Sequence, residues 1–334
     1  MSDRSIEQLI ATGEATLPLT LKENAVYGQT DQVTLEVKGP DAASFLQGQL
    51  SCDVNQLTTS MAGLGTHSTP KGRMLSSFRI SSSDEQCYRL QLHESIADAG
   101  LAALKKYIVF SKAEIAQTDI VCVGLHGAAA ATWLASKTDS LPTENYAQLI
   151  ANDVIIVCVN ASVNAYQVTG TSAALTALFS DVPAEWISDS RQATLIAQAS
   201  GLAFVEADSV ELFIPQMLNY QETPAISFTK GCYTGQEIVA RMKYLGKMKR
   251  HMYVAIVRSG STDAAAAIAV AASVSLEAGS QNQGNIASSV QLDSHTWQIL
   301  MVLTDSAKES PTLFVNDIAV DIVEFLPLPY TVDA

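Results

Sequence analysis

The densest run of chemically capable side chains is Lys230-Gly231-Cys232-Tyr233-Thr234-Gly235-Gln236-Glu237, which continues into Ile238-Val239-Ala240-Arg241. A thiol acts as nucleophile or metal ligand in its thiolate form, which nearby cations and helix N-termini favour. Lys230 precedes Cys232 by two residues. After Gly235 the spacing turns helical: Ile238, Val239 and Met242 share a face, and Glu237 and Arg241 stand four apart. Cys232 is therefore expected just ahead of a helix, with dipole and ammonium both favouring thiolate, as a reactive or metal-touching thiol. The competing expectation is a small buried cysteine packing a strand-to-helix turn, because free cysteines are among the most buried residues. The nearest histidine in sequence is His251, too far along the chain to identify a base, which weakens the case for a cysteine-nucleophile enzyme. Gly231 and Gly235 imply a tight backbone path, with positive φ at one or the other.

Beyond that run comes a cluster of cations. Arg241, Lys243, Lys247, Lys249 and Arg250 fall within ten residues that contain no acid, in a chain with 20 basic and 34 acidic side chains and a formal charge of -14. Such a cluster focuses positive potential and is expected to dock an acidic partner, a protein rather than a nucleic acid. The alternative is a solvated helix end whose cations offset the macrodipole. The acidity elsewhere argues against an extended nucleic-acid-binding face.

The cysteines, Cys52, Cys87, Cys122, Cys158 and Cys232, are scattered and form no C-x-x-C pair. This fits free thiols in a reducing cytosol and argues against a structural zinc or a cluster held by this chain alone. The opening residues, with Ser2, Asp3, Arg4 and Glu7, lack the charged-then-apolar order of a secretion signal. The longest apolar run, 121–135, is interrupted by His126 and falls short of the ~20 residues a membrane span needs. The expectation is a cytoplasmic monomer with no membrane partner.

A chain of 334 residues has room for two or three packed units. Residues 33–37 alternate like a strand, and Asp41 is a candidate N-cap for a helix carrying Phe45, Leu46 and Leu50 on one face. A hairpin is expected from 75–80 and 87–92 around a turn at 81–86, then a helix over 97–107 and a strand over 112–116. A similar order recurs: strand 120–125, helix 127–136, hairpin 154–159 with 163–168, helix 172–179. These features indicate an α+β class built from ferredoxin-like layers. After Arg250, short β-type runs at 253–257, 272–276, 286–290, 297–303, 312–315 and 318–323 predict a small antiparallel barrel. The alanine-rich stretch 264–272 fits either a helix or an irregular excursion.

The octapeptide 230–237 resembles the signature of the YgfZ family, relatives of the glycine-cleavage aminomethyltransferases. Other stretches are similar to landmarks of that family: Gly39-Pro40-Asp41-Ala42 with Phe45-Leu46-Gln47-Gly48-Gln49-Leu50 and Asp53-Val54, then Lys71-Gly72-Arg73, Lys105-Lys106-Tyr107, Phe110-Ser111-Lys112, Phe213-Ile214-Pro215-Gln216, Ile226-Ser227-Phe228 and Leu326-Pro327-Leu328-Pro329-Tyr330. The resemblance runs from about Leu17 to Tyr330. It implies an aminomethyltransferase-like, ring-like fold: a folate-binding region over 1–240 made of two interleaved α+β units, and a β-barrel domain over 250–334. It also implies tetrahydrofolate or a derivative as cofactor, and a role in supporting iron–sulfur enzymes or their assembly proteins, and through them tRNA modification such as methylthiolation.

Two departures from the family pattern matter. Tryptophans associated with folate fall, in this register, at Gln32 and Ala193, neither of which can stack on a pterin. Trp186, Tyr166 or Tyr107 would then supply the aromatic face, although each also fits ordinary packing. Aminomethyltransferases carry paired aspartates after a glycine pair, whereas this chain reads Lys71-Gly72-Arg73-Met74-Leu75-Ser76-Ser77. No carboxylate is there to orient an amine or move its proton; Lys71 and Arg73 would instead attract the glutamate tail of a folate. The resulting expectation is a folate-binding accessory factor in which Cys232 touches a cluster, a metal or a partner thiol. Lys230 and Arg241 would tune its charge, while Gln236 and Glu237 hold the loop beside Tyr233. A tetrahydrofolate-dependent one-carbon transferase is the alternative.

Overall fold

The computed structural model describes residue 6 and residues 17–138, 140–246 and 248–332; Lys247 and the opening residues Ser2, Asp3, Arg4 and Glu7 lie outside the described residues. The chain lays down β1 (Ala25–Gly28), β2 (Gln32–Lys38), α1 (Ala42–Gln49), β3 (Gly63–Ser68), β4 (Met74–Asp84), β5 (Cys87–His93), α2 (Ala97–Ile108) and β6 (Glu114–Thr118). There follow β7 (Val121–His126), α3 (Ala128–Thr138), β8 (Gln148–Ala151), β9 (Val154–Asn160), β10 (Ala165–Gly170), α4 (Ser172–Phe179), α5 (Gln192–Ala199) and α6 (Gln236–Tyr244). Strands β11 (Arg250–Arg258), β12 (Ser273–Ser275), β13 (Gly284–Gln291), β14 (Thr296–Thr304), β15 (Thr312–Val315) and β16 (Ile318–Leu326) complete the chain.

The first sheet has the order β3-β4-β5-β2-β6 and the second β1-β7-β10-β9-β8. The recurring pattern in the sequence is thus a recurring topology. In each unit a central strand (β2 or β7) leads into a helix, three consecutive strands line up beside it, and an antiparallel strand flanks its other edge. That flanking strand is β6 in the first sheet. In the second it is β1, which precedes the whole first unit, so the two units are interleaved.

Strand alternation sorts the side chains. On the first sheet Leu35, Val37, Phe78, Ile80, Leu90 and Leu92 face one way, into a core closed by Phe45 and Leu46 of α1 and Leu104 and Ile108 of α2. The second sheet turns Val123, Leu125, Ile156, Cys158 and Val168 toward α3 and α4. The opposite faces meet one another. Thr34, Arg79 and Gln91, aligned across β2, β4 and β5, look toward Tyr27, Cys122, Gln167 and Thr169. Gln148 spans the gap, donating from Nε2 to the Ser82 carbonyl at 2.7 Å. All but Gln148's neighbours on β9 are polar or small, so the two sheets pack through a buried polar seam.

The C-terminal strands close into a barrel, β11-β14-β13-β12-β15-β16, filled by Val257, Ile286, Trp297, Ile299, Met301 and Leu313. Its outer residues Met252, Val254, Leu300 and Val302 join the core of the first sheet. Helix α5 bridges the second sheet and the barrel, with Gln198 Nε2 donating to Ser288 Oγ at 3.0 Å.

Several expected boundaries move. Strand β4 runs through to Asp84, leaving only Glu85 and Gln86 as the turn. Asp41 gives α1 no side-chain cap; its carboxylate accepts instead from the Lys112 backbone N–H at 2.8 Å, tying β6 to the start of the helix. The alanine stretch supplies one helical turn, Ala264–Ala267. Among the described residues no helix is long and apolar enough to cross a membrane.

The tail after β16 turns back on the seam. Gly201 has φ +64°, and a Cβ there would lie 2.6 Å from the Tyr330 hydroxyl, which donates to the Gly201 carbonyl at 2.7 Å. Tyr330→Phe keeps the packing and removes one half-buried hydrogen bond, so it should lower unfolding free energy by about 1 kcal/mol in denaturant titrations.

Candidate functional site

Two places gather the singled-out residues: a corner beside α6, and a cleft at the rim of the polar seam.

At the corner, distant landmarks interlock. Gly235 precedes α6 with φ +87°, and a Cβ there would lie 2.7 Å from the Thr69 carbonyl oxygen. Gly72 has φ +71° in the 69–73 turn, which is closed by Gly72 N–H donating to Thr69 O and Thr69 N–H donating to Arg73 O, both at 2.8 Å; its Cβ would lie 2.8 Å from that of Ile238. Only glycine meets both the backbone angle and the clearance at these positions. Arg73 Nη1 donates to Leu212 O at 2.6 Å, and Gln216 Nε2 to Val239 O at 2.6 Å. The Lys71-Gly72-Arg73 turn, the Phe213–Gln216 stretch and the octapeptide therefore form one structure.

Lys230 is the pin of this corner. Its ammonium donates to Leu50 O at 2.8 Å and Cys52 O at 2.7 Å, and lies 5.1 Å above the Tyr233 ring. Burial draws Lys230 down to about 8, with Cys52 and Asp53 opposing the shift, and pushes Tyr233 up to about 12. Thr234 N–H donates to Gly48 O at 3.3 Å, and Ser227 N–H to Ser51 O at 2.9 Å, so the loop is stitched to the end of α1.

This corrects the expected roles. The Lys230 charge is committed to Leu50 and Cys52 rather than to Cys232. Among the described residues, Gln236 and Glu237 make no side-chain hydrogen bonds to the loop; Lys230 and Thr234 hold it. Glu237 and Arg241, in the first and last turns of α6, are exposed and form no ion pair, among the described residues. Cys232 itself is exposed, whereas Cys52, Cys87, Cys122 and Cys158 are buried; the buried-cysteine reading fails. Among the basic cluster, Arg250 donates to Asn282 O at 2.9 Å, Lys243 sits 5.5 Å over Phe228, and Arg241 and Lys249 are exposed; Lys247 is outside the described residues.

The cleft opens where the first sheet, α5 and the barrel meet. It encloses about 60 Å3 and is lined by Gln29, Gln32, Arg79, Ala193, Phe204 and Glu206, with Asp31, His93 and Ser288 around them. Gln32 and Ala193, placed by the family register at the folate tryptophans, thus come together from opposite ends of the first 200 residues. Trp186 and Tyr166 pack against the core of the second sheet, and Tyr107 is exposed on α2; none lines the cleft, nor do Lys71 and Arg73. The aromatic face present is Phe204.

Arg79, Phe204 and Glu206 were not singled out in the sequence. Arg79 stood between Phe78 and Ile80, and strict alternation through that apolar stretch already aims it away from the core. Burial raises the carboxyl of Glu206, with the His93 ring opposing. Gln29 Oε1 accepts from Gln167 Nε2 at 2.8 Å and from the Cys122 thiol at 2.7 Å. Burial pushes Cys122 up to about 12, so it stays a thiol. Ser77, in the stretch that lacks the paired aspartates, accepts from the Val205 N–H at 2.8 Å.

Two measurements check this geometry. In competitive alkylation near neutral pH, Cys232 should react first and the buried Cys52 and Cys122 last; parity between Cys232 and Cys122 contradicts the exposure described. Gly72→Ala should cost about 1–3 kcal/mol, since it adds a strained φ and a clash with Ile238; an unchanged denaturation midpoint contradicts the interlock.

The likeness to known proteins agrees with this layout. No family model matches the chain. It is 32% identical over 317 residues to the tRNA-modifying protein YgfZ of Yersinia enterocolitica, covering 94% of this chain and 93% of that one, and 31% identical over 319 residues to its counterpart in Serratia proteamaculans, with the same coverage. Among solved structures, the glycine cleavage system aminomethyltransferase T of Bartonella henselae superposes with a TM-score of 0.65 at 14% identity, over 91% of this chain and 86% of that one. The fold is therefore that of the aminomethyltransferases, and the chain belongs to the YgfZ family.

Proposed function

We propose that this protein is a cytoplasmic folate-binding accessory factor that supports iron–sulfur enzymes, and through them the modification of tRNA, such as methylthiolation. The observation that carries the reading is the convergence of Gln32 and Ala193 on one cleft with a guanidinium, a carboxylate and an aromatic ring. A pterin offers an acceptor edge, donor N–H groups and a flat face, and Arg79, Glu206 and Phe204 are matched to these in turn. The relatives' name supports the link to tRNA.

Fit to tetrahydrofolate is partial. The enclosed 60 Å3 takes the edge of a ring rather than a whole pterin, and Gln32 and Ala193 supply no stacking surface. Binding must rearrange the rim, which lowers affinity. Bound folate would supply one-carbon chemistry; the chain's own contribution is to hold the ring edge and exclude water from it. Iron–sulfur enzymes or assembly proteins are the proposed partners of the Cys232 corner, with the exposed Arg241 and Lys249 beside it as the charged contact.

A one-carbon transferase is the second reading, and one observation favours it: Glu206 lines the cleft with a raised carboxyl able to move a proton. Formation of methylene-tetrahydrofolate by the isolated protein would establish that reading.

Calorimetric titration should give a modest affinity for tetrahydrofolate that rises about 5–10-fold in Gln32→Trp, the worth of one stacked ring. A deletion strain should lose tRNA methylthiolation, and Cys232→Ser should fail to restore it. Tight binding by the unmodified chain with no gain in Gln32→Trp, or full restoration by Cys232→Ser, contradicts the corresponding half of the proposal.

A further inference from the structure

The polar seam contains a charge with no counter-charge. Arg79 is 9% exposed, and its guanidinium lies 4.8 Å from the centroid of Phe204. Among the described residues it makes no hydrogen bond and no ion pair, and its Nε is fully enclosed. The ionisable groups that feel its charge are Tyr27, Cys122, Tyr146 and Tyr220. Burial holds all four protonated, so none neutralises it. Gln91, its cross-strand neighbour, also leaves its Nε2 without a partner.

Buried donors in folded proteins are nearly always satisfied, and an unpaired buried cation is among the most unfavourable things a core can hold. A methionine would fill the same volume and contact Phe204 without the desolvation cost. A guanidinium with an enclosed, unpartnered Nε at the wall of a cleft points to a group that arrives from outside.

We propose that Arg79 anchors the ligand of this cleft by receiving the carbonyl edge of a planar, amide-bearing heterocycle of the pterin type, while Glu206 and Asp31 at the rim take the ring's N–H donors. The inference rests on the folate reading above and deepens it. The enclosed volume of about 60 Å3 admits a ring edge beside the guanidinium. The rim is acidic: Asp31 is half exposed, and Glu206 senses both Asp31 and Asp208. An acidic rim repels the carboxylates of a glutamate tail and attracts amino and amide N–H groups. The arrangement therefore sets ring inward and tail outward.

Thermal melting of the ligand-free protein, and calorimetry with tetrahydrofolate and with tetrahydropterin lacking the tail, test this on the full chain. Ligand-free Arg79→Met should melt about 2–4 °C or more above the unmodified protein. It should lose about 10–100-fold in affinity for both probes alike, the worth of one charged hydrogen bond, and Arg79→Lys should recover part of the loss. A lower melting temperature for Arg79→Met makes Arg79 a structural residue and overturns the assignment. Unchanged affinity in Arg79→Met, in a protein that binds tetrahydrofolate, overturns it and leaves the folate reading standing. A loss confined to tetrahydrofolate means that the tail, not the ring edge, meets Arg79, and also overturns it. Absence of binding by the unmodified protein overturns the folate reading and the assignment together.

Discussion

The fold depends on how two sheets can be pressed together through faces that are largely polar. Each sheet spends its more hydrophobic face on its own pair of helices, so only the opposite faces remain to join the two units. These carry Thr34, Arg79, Gln91, Gln148, Gln167 and Thr169, all buried, with Ile155, Val157 and Val159 of β9 as an apolar strip. Such an interface is held by hydrogen bonds and by the elements around it as well as by that strip. The barrel supplies much of that external hold, because Met252, Val254, Leu300 and Val302 extend the first sheet's core outward. Helix α5 and the strap at Tyr330 close the remaining side. A seam that is costly to dry is also the natural place for a polar ligand, and the cleft lies at its rim.

The corner around Lys230 follows a different logic. Val239 and Ile226 anchor it to the main core, while the turn at Gly72, the cap at Gly235 and the ammonium of Lys230 meet at backbone level. One lysine satisfies the carbonyls of Leu50 and Cys52, which end α1 and would otherwise face a half-buried space. The consequence is a rigid pedestal with Cys232 outside it.

How much of this was legible in the sequence varies with how local the signal is. Alternation and turn residues located β2, the β4–β5 hairpin, α4 and all six barrel strands, because each depends on neighbours a few residues away. Strands β1, β3 and β8 were missed. β1 and β8 are four residues long and β3 is interrupted by glycines at 63 and 65, too little for a period to show. The octapeptide was readable as a unit, but the direction of Lys230 was not, since its partners lie 178 and 180 residues away. The cleft was half legible: Gln32 and Ala193 were found through the family register, while Arg79 and Glu206 belong to no motif and were not singled out. Trp186 was misjudged because aromatic character says nothing about which side of a sheet a ring will occupy.

The place of β1 sets a condition on how the chain is made. Emerging from the ribosome after residue 28, this strand has no partner until β7 is synthesised, some 95 residues later. At about 5–20 residues per second that is an interval of roughly 5–20 seconds. By its end the complete first sheet can form, since its last strand, β6, ends at Thr118, three residues before β7 begins. The second sheet cannot. Val26 and Tyr27 must therefore wait, unpaired, while the first sheet is assembled strand by strand. Assembly is thereby ordered in time: the first unit folds, the second recruits a strand left behind at the start, and the seam between them closes last of the two. A chain threaded this way cannot be cut into two autonomous halves at any single peptide bond, however separate its two sheets look in outline.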